Sequence, residues 1–250
     1  MARVKQLDNF SIGQLNSPNI GGKMTDHCGL VLHIAEGTYE GTINWQKNPD
    51  QKYADGTKVT TSSTWIVGRN AGEIVQMVDS DVVAWCQRSG SLTWNSVELA
   101  GHSTDNPTDW QIDACGALLY WLHKTYAVPL EVATNPSQRG LGHHSMDREN
   151  LGEEWGHEAC PGPKVIAVKS DIVSYAKYLL NKENPVPEVN LTKDAIGSIW
   201  TAEFGRDDNR HSTYELLKHS FDRIQDINAK IDVLVKRLAQ TISNTGSTNA

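Results

Sequence analysis

A chain of 250 residues has room for one full domain and an appendage. With 38% hydrophobic and 21% charged residues it reads as folded and soluble, and a net charge of -7 argues against nucleic acid as its main partner. No stretch approaches the roughly 20 consecutive apolar residues that cross a bilayer, and "MARVKQLDNFSIGQLNSPNI" lacks the apolar core of a secretory signal, so the expectation is synthesis in, and initial residence in, the cytoplasm.

The four cysteines, Cys28, Cys86, Cys115 and Cys160, are widely spaced. In that compartment they read as thiols, not as a disulfide framework.

Residues 1–180 are expected to form one α/β unit, a central mixed β-sheet flanked by helices. "GLVLHIAEG" carries a short apolar run, Leu30 to Ile34, ended by Gly37, which predicts a buried strand. In "STWIVGRNAGEIVQMV" two apolar segments flank the turn signal Arg69-Asn70-Ala71-Gly72, and a β-hairpin is expected. "NSVELAG" predicts a strand with Ser96, Glu98 and Ala100 on one face and Val97 and Leu99 on the other. Thr108 with Gln111 makes a capping box, and Cys115, Leu118, Leu119, Leu122 and Tyr126 then recur at helical spacing, which makes Cys115 a core residue. A second helix is expected from about Lys164 to Leu180, after a Pro-Gly-Pro turn.

Residues 181–195, including "NKENPVPEVN", read as a linker. In 196–242 the residues Leu217, Ile224, Ile227, Ile231, Leu234 and Leu238 fall on a 3-4 spacing over about three heptads, near the minimum for a coiled coil. Phe221, Val235 and Ile242 widen the stripe, which favours a homo-oligomeric bundle or packing on another surface. Residues 243–250 form a polar tail.

Chemistry is suggested by four positions. His33 lies inside an apolar strand, where each ring nitrogen needs a partner. "GLGHHSMD" sets His143 beside His144; in an extended segment they point to opposite faces, so only one can share a site with His33. In "HEACPGP" Cys160 sits before a rigid turn, a place suited to a metal ligand or a nucleophile rather than to core packing. Two nitrogens and one sulfur with no CxxC partner suit an open zinc site with one position left for water. The nucleophile reading would use His157 beside Cys160. Glu98, between Val97 and Leu99, is a carboxylate whose burial is costly unless it is paired or functional; beside an activated water it is a natural general base.

These segments in this order resemble the zinc-dependent N-acetylmuramoyl-L-alanine amidases of the type 2 group, which share a fold with peptidoglycan recognition proteins. More narrowly, the chain resembles an endolysin of a phage infecting actinobacteria. The resemblance covers about Pro18 to Leu180 and rests on "LVLHIAEGTYEGTINWQKNP", "TTSSTWIVGRNAGEIVQMV", "NSVELAGH", "GLGHHSMD" and "HEACPGP". It implies Zn²⁺ held by His33, His143 and Cys160, with His143 chosen as the His after Gly, and Glu98 as catalytic base. The implied substrate is bacterial peptidoglycan, cut between N-acetylmuramic acid and L-alanine for host-wall lysis. Three departures stand out: Glu158 occupies a position that often carries an oxyanion-assisting Lys or Thr, leaving that role to His157; Ser63 stands where some relatives have a Tyr; and Cys86 replaces a His in "AWC". Trp45, Trp65, Trp94 and Trp155 are candidates to pack on glycan or peptide. Alternatives are a non-catalytic peptidoglycan-binding module, a virion-associated amidase and a recycling amidase.

Overall fold

In the structure, a computed structural model that describes residues 3–8, 10–147, 155 and 159–183, the strand Gly29–Ile34 is the spine of the sheet. The elements run β1 (Gln6–Leu7), β2 (Phe10–Ser11), β3 (Gly13–Gln14), β4 (Ile20–Lys23), β5 (Gly29–Ile34), α1 (Tyr39–Lys47), β6 (Trp65–Val67), β7 (Ile74–Gln76), β8 (Val82–Ala84), β9 (Trp94–Leu99), α2 (Asp109–Tyr126), β10 (Gly140–His143), α3 (Pro163–Ala167) and α4 (Lys169–Glu183). Six strands form one sheet in the order β10-β5-β9-β6-β7-β3, parallel throughout except for the β6–β7 hairpin. Two short antiparallel pairs, β1–β2 and β4–β8, stand beside it. The expected mixed sheet with helices is present.

The strands are buried on both faces, and alternation sorts their side chains. Leu30 and Leu32 of β5, Val97 and Leu99 of β9, and Trp65 and Val67 of β6 pack with α2 and α4 in the main core. Val31, Trp94 and Ile66, on the opposite parity, face two smaller apolar clusters, one of which includes Met146 and Trp155 and the other Tyr39 and Ile43 of α1. Gly29 is required where β5 meets β10, because a Cβ there would collide with the Gly140 carbonyl and the Trp94 ring.

The capping box at Thr108 and Gln111 opens α2, and Gln111 Nε2 also donates to the Ala100 carbonyl, joining the helix start to the end of β9. Cys115 is fully buried, as its helical position predicts. The helix expected over 164–180 is instead two. Val168, at φ -91° and ψ 6°, ends α3, and its carbonyl accepts from Asp171 and Ile172 to start α4. Since α4 continues to Glu183, Asn181–Glu183 belongs to a helix and not to a linker.

Contacts divide the chain into Met1–Val186 and Pro187–Ala250, and all described residues lie in the first unit. The rest of the expected linker, the heptad segment and the polar tail lie outside the described residues, as do His157 and Glu158. No described helix is long and apolar enough to cross a membrane.

Candidate metal centre

The parity that sends Leu30 and Leu32 into the main core sends His33 to the other face of β5, where it pairs in register with Glu98 of β9. His33 is buried, and its Nε2 meets Gln87 Oε1 at 3.2 Å. Gln87 Nε2 donates to the Trp94 carbonyl at 2.9 Å, which turns the amide oxygen toward the imidazole. An acceptor at Nε2 keeps the His33 proton there and leaves Nδ1 with its lone pair. Nδ1 faces Cys160 Sγ at 3.7 Å.

At the end of β10 the two adjacent histidines part. His143 shares the face of Leu141, toward the helices, and its Nδ1 accepts from Lys169 Nζ at 2.9 Å; Lys169 also donates to the Ala133 carbonyl. Burial, and then the charges of Lys169 and His144, push the pKa of His143 down to about 4, so it is a neutral acceptor. His144 opens a 3₁₀ turn, His144–Asp147, on the opposite face, with its ring centroid 4.4 Å from that of His33. Its Nε2 donates to the Trp155 carbonyl at 2.9 Å. The group that converges is therefore His33, His144 and Cys160, all buried, with ligand atoms within 4.8 Å of one another. The expectation that His143 is the second member is corrected: Leu141 fixes the parity of β10, and His143 follows it into the helix side.

Cys160 is brought in by its own turn. The Ser145 N–H donates to the Cys160 carbonyl at 3.0 Å, tying the cysteine turn to the His144 turn, and the chain then enters α3 through Gly162 and Pro163. Burial first, and the Glu98 charge second, push the Cys160 thiol well up from its ordinary value.

Glu98 stands across from His33 with Oε1 accepting from the Cys86 thiol at 3.5 Å. Its Oε2 is buried with no hydrogen-bond partner among the described residues. Burial raises its pKa to about 7, with the Cys86 hydrogen bond a smaller opposing influence.

The donor set fits zinc. Zn–S near 2.3 Å and Zn–N near 2.0 Å at a tetrahedral angle put sulfur and nitrogen about 3.6 Å apart, against the 3.7 Å between Cys160 Sγ and His33 Nδ1. Both imidazoles have Nε2 against a fixed oxygen, the usual outer-shell arrangement of ligating histidines. An orphaned carboxylate oxygen nearby is what a site built for a cation and water leaves behind.

A cavity of about 200 Å³ lies over His33, Glu98, His144 and Cys160. It shares Ile34, Glu36, Cys86 and Glu98 with a groove of about 380 Å³ that runs past Thr38 and Trp45 to Trp85. Of the four tryptophans considered for substrate packing, Trp45 lines this groove and is 38% exposed. Trp65, Trp94 and Trp155 are buried core. Ser63 is likewise buried, its hydroxyl held by Gln46 and the Trp65 carbonyl. Cys86 is marked in the sequence only through the resemblance, as the residue that replaces a His in "AWC"; Gln87 carries no sequence signal beyond being a polar residue soon after the apolar run ending at Trp85.

Residues 24–163 match the family model described as N-acetylmuramoyl-L-alanine amidase, Amidase_2, and the chain belongs to that family. It is similar to N-acetylmuramoyl-L-alanine amidase A of Achromobacter lyticus, 24% identical over 90 residues, which is 36% of this chain and 46% of that protein. The chain thus matches less than half the length of this curated relative. Among solved structures it shares its fold with the hydrolase AmiA of Staphylococcus aureus, at a TM-score of 0.57 and 14% identity over 72% of this chain and 89% of that one. A selenomethionine derivative of AmpD aligns at a TM-score of 0.48 and 18% identity over 65% of this chain and 93% of that one.

Proposed function

We propose that this protein is a zinc-dependent N-acetylmuramoyl-L-alanine amidase that cuts the amide joining the lactyl group of N-acetylmuramic acid to L-alanine in peptidoglycan. The observation that carries the proposal is the convergence of His33, His144 and Cys160 beside a buried Glu98 at the floor of an open cleft, in a chain of the amidase family.

His33 Nδ1, His144 and the Cys160 thiolate would hold the ion, and Gln87 and the Trp155 carbonyl hold the two rings in place. Zinc there supplies Lewis-acid polarisation of the scissile carbonyl and acidification of a water. Glu98 takes the proton of the attacking water at Oε2, the oxygen left open for it, while Oε1 stays anchored on Cys86. Its neutral-range pKa suits both halves of the task, accepting a proton and returning it to the leaving amine. His157, which lies outside the described residues, is assigned the second proton or oxyanion contact on the strength of its place in "HEACPGP". Trp45 and Thr38, which line the groove, provide an apolar and a polar wall for the substrate.

The same proposal makes the protein a phage endolysin acting on actinobacterial walls from the host cytoplasm, with the heptad segment gathering several catalytic units on a polymeric substrate. The sequence resemblance supports that role, and sedimentation of the full chain tests the oligomer: a monomer removes it.

The activity itself is tested by mass spectrometry of what the zinc-loaded protein releases from purified actinobacterial peptidoglycan. Stem peptides with a free L-alanine amino terminus, absent with Cys160→Ser, are the expected product. Wall binding without release would make the protein a binding module.

A further inference from the structure

Outside the His33, His144 and Cys160 set, the described residues hold one other group of metal-capable atoms: His33, Cys86 and Glu98, again within 4.8 Å of one another. The two groups share His33, whose Nδ1 faces Cys160 of the first. What the second adds is Cys86 and Glu98. Cys86 Sγ lies 3.5 Å from Glu98 Oε1. A tetrahedral cation bonded to a sulfur and a carboxylate oxygen separates them by about 3.6 Å, so the S–H···O hydrogen bond already has the span of a sulfur–metal–oxygen chelate. The other carboxylate oxygen, Oε2, is buried and has no hydrogen-bond partner among the described residues. A buried acceptor left in that state points to an occupant, either water or a cation. Both residues also line the two cavities of the cleft, so an ion arriving from solvent reaches them without rearrangement.

We propose that Cys86 and Glu98 form a second, weaker divalent-metal site beside the His33–His144–Cys160 centre, selective for thiophilic ions such as Zn²⁺ and Cd²⁺, and that its occupation inhibits the enzyme. Binding replaces the Cys86 thiol proton, which leaves to solvent, with the cation; the thiolate and the Glu98 carboxylate become its two protein ligands and water fills the remaining positions. A carboxylate engaged in this way no longer accepts a proton from the attacking water. Two protein ligands against three make this the weaker site, so one ion per chain supports activity and a second suppresses it. Magnesium and calcium, which avoid sulfur, are not retained there.

The inhibitory consequence rests on the amidase reading above; the site itself does not. The test is a Cd²⁺ titration of the metal-free full-length protein, followed by the ultraviolet charge-transfer absorption of cadmium–thiolate bonds and by bound metal per chain. Two steps are expected in the wild type. Cys86→Ala should retain the tight step and lose the weak one, Glu98→Gln should weaken the second step alone, and Cys160→Ala should lose the tight step while keeping the weak one. Circular dichroism of each variant separates loss of a site from loss of the fold. A wild type with no step that Cys86→Ala removes, or a second step that survives Cys86→Ala, overturns the proposal. Failure of the tight step alone overturns the centre proposed for catalysis and leaves the Cys86–Glu98 site standing. In the activity arm, wild-type release of stem peptides should fall once Zn²⁺ exceeds one equivalent, and the same excess should leave the rate of Cys86→Ala at its one-equivalent level; equal suppression of both would place the inhibition elsewhere.

Discussion

Gln87 holds His33 from behind: its amide oxygen meets Nε2 at 3.2 Å while its own nitrogen is anchored on the Trp94 carbonyl at 2.9 Å. The imidazole is thereby fixed in both tautomer and rotation, with Nδ1 toward Cys160. Loss of such an outer-shell partner typically weakens metal binding about 10- to 100-fold. Gln87→Ala should therefore lower zinc affinity by that order in a chelator competition while leaving the donor set intact. An unchanged affinity would show that the ring is held by packing alone.

The two histidines of "GLGHHSMD" give a sharper contrast. His144→Ala removes a proposed ligand and should abolish stoichiometric zinc binding with little change in the metal-free melting curve. His143→Ala should do the reverse. Removing the acceptor of a buried ammonium group leaves that group to relax at a cost of roughly 1–3 kcal/mol, so the variant should unfold at lower urea yet still bind one zinc. Metal content and denaturation midpoint, measured on the same two variants, decide which histidine ligates.

Much of this site could be read from the chain. Alternation in "NSVELAG" separated Glu98 from Val97 and Leu99, and "GLVLHI" placed His33 in a buried strand; both faces are as expected because strong apolar neighbours fix them. The structure places His144, not His143, beside His33 and Cys160, for a physical reason that lies in the sequence. Leu141 is apolar and two residues before His143, so the parity that buries Leu141 against the helices carries His143 with it. The break at Val168 was not legible, because "PKVIAVKSDIVSYAKYLL" keeps helical spacing across it, and the contacts of the adjacent Lys169 with His143 and Ala133 come from segments distant in sequence. Gln87 was missed since nothing local marks a glutamine that works through a histidine 54 residues away.

The buried carboxylate makes stability depend on pH in a direction opposite to that of a salt-bridged acid. The pKa of Glu98 is raised from 4.5 to about 7 by burial, so between those values the folded state keeps a proton that the unfolded chain releases. Stability contributed by Glu98 is full below about pH 4.5 and falls as pH rises toward 7, by on the order of 3 kcal/mol in the metal-free protein. Glu98→Gln cannot ionise, so the wild-type deficit relative to this variant should grow across that window in urea denaturation with chelator present. Zinc should shrink the deficit, because a nearby cation favours the carboxylate. A constant difference across the window would mean that Glu98 is solvated in the folded state.

Gly162 tests whether the Cys160 turn is built to tolerance. Its φ of 88° with ψ of 160° is a conformation open essentially to glycine alone. A Cβ there would also lie 2.7 Å from the Ser103 carbonyl oxygen and 2.9 Å from the Ser103 Cβ, atoms that cannot swing aside as a flexible side-chain end can. Gly162→Ala must therefore move the turn, and Cys160, two residues earlier, moves with it. The backbone strain alone is worth about 1–3 kcal/mol, and displacement of the sulfur should weaken zinc binding as well. Gly72→Ala separates these effects: its φ of 87° is comparably restrictive, but the added methyl meets open space in the β6–β7 turn, away from the metal centre. Both variants should lose thermal stability, and only Gly162→Ala should lose zinc to a chelator. Equal zinc retention in the two would mean that the cysteine loop can shift without surrendering its ligand.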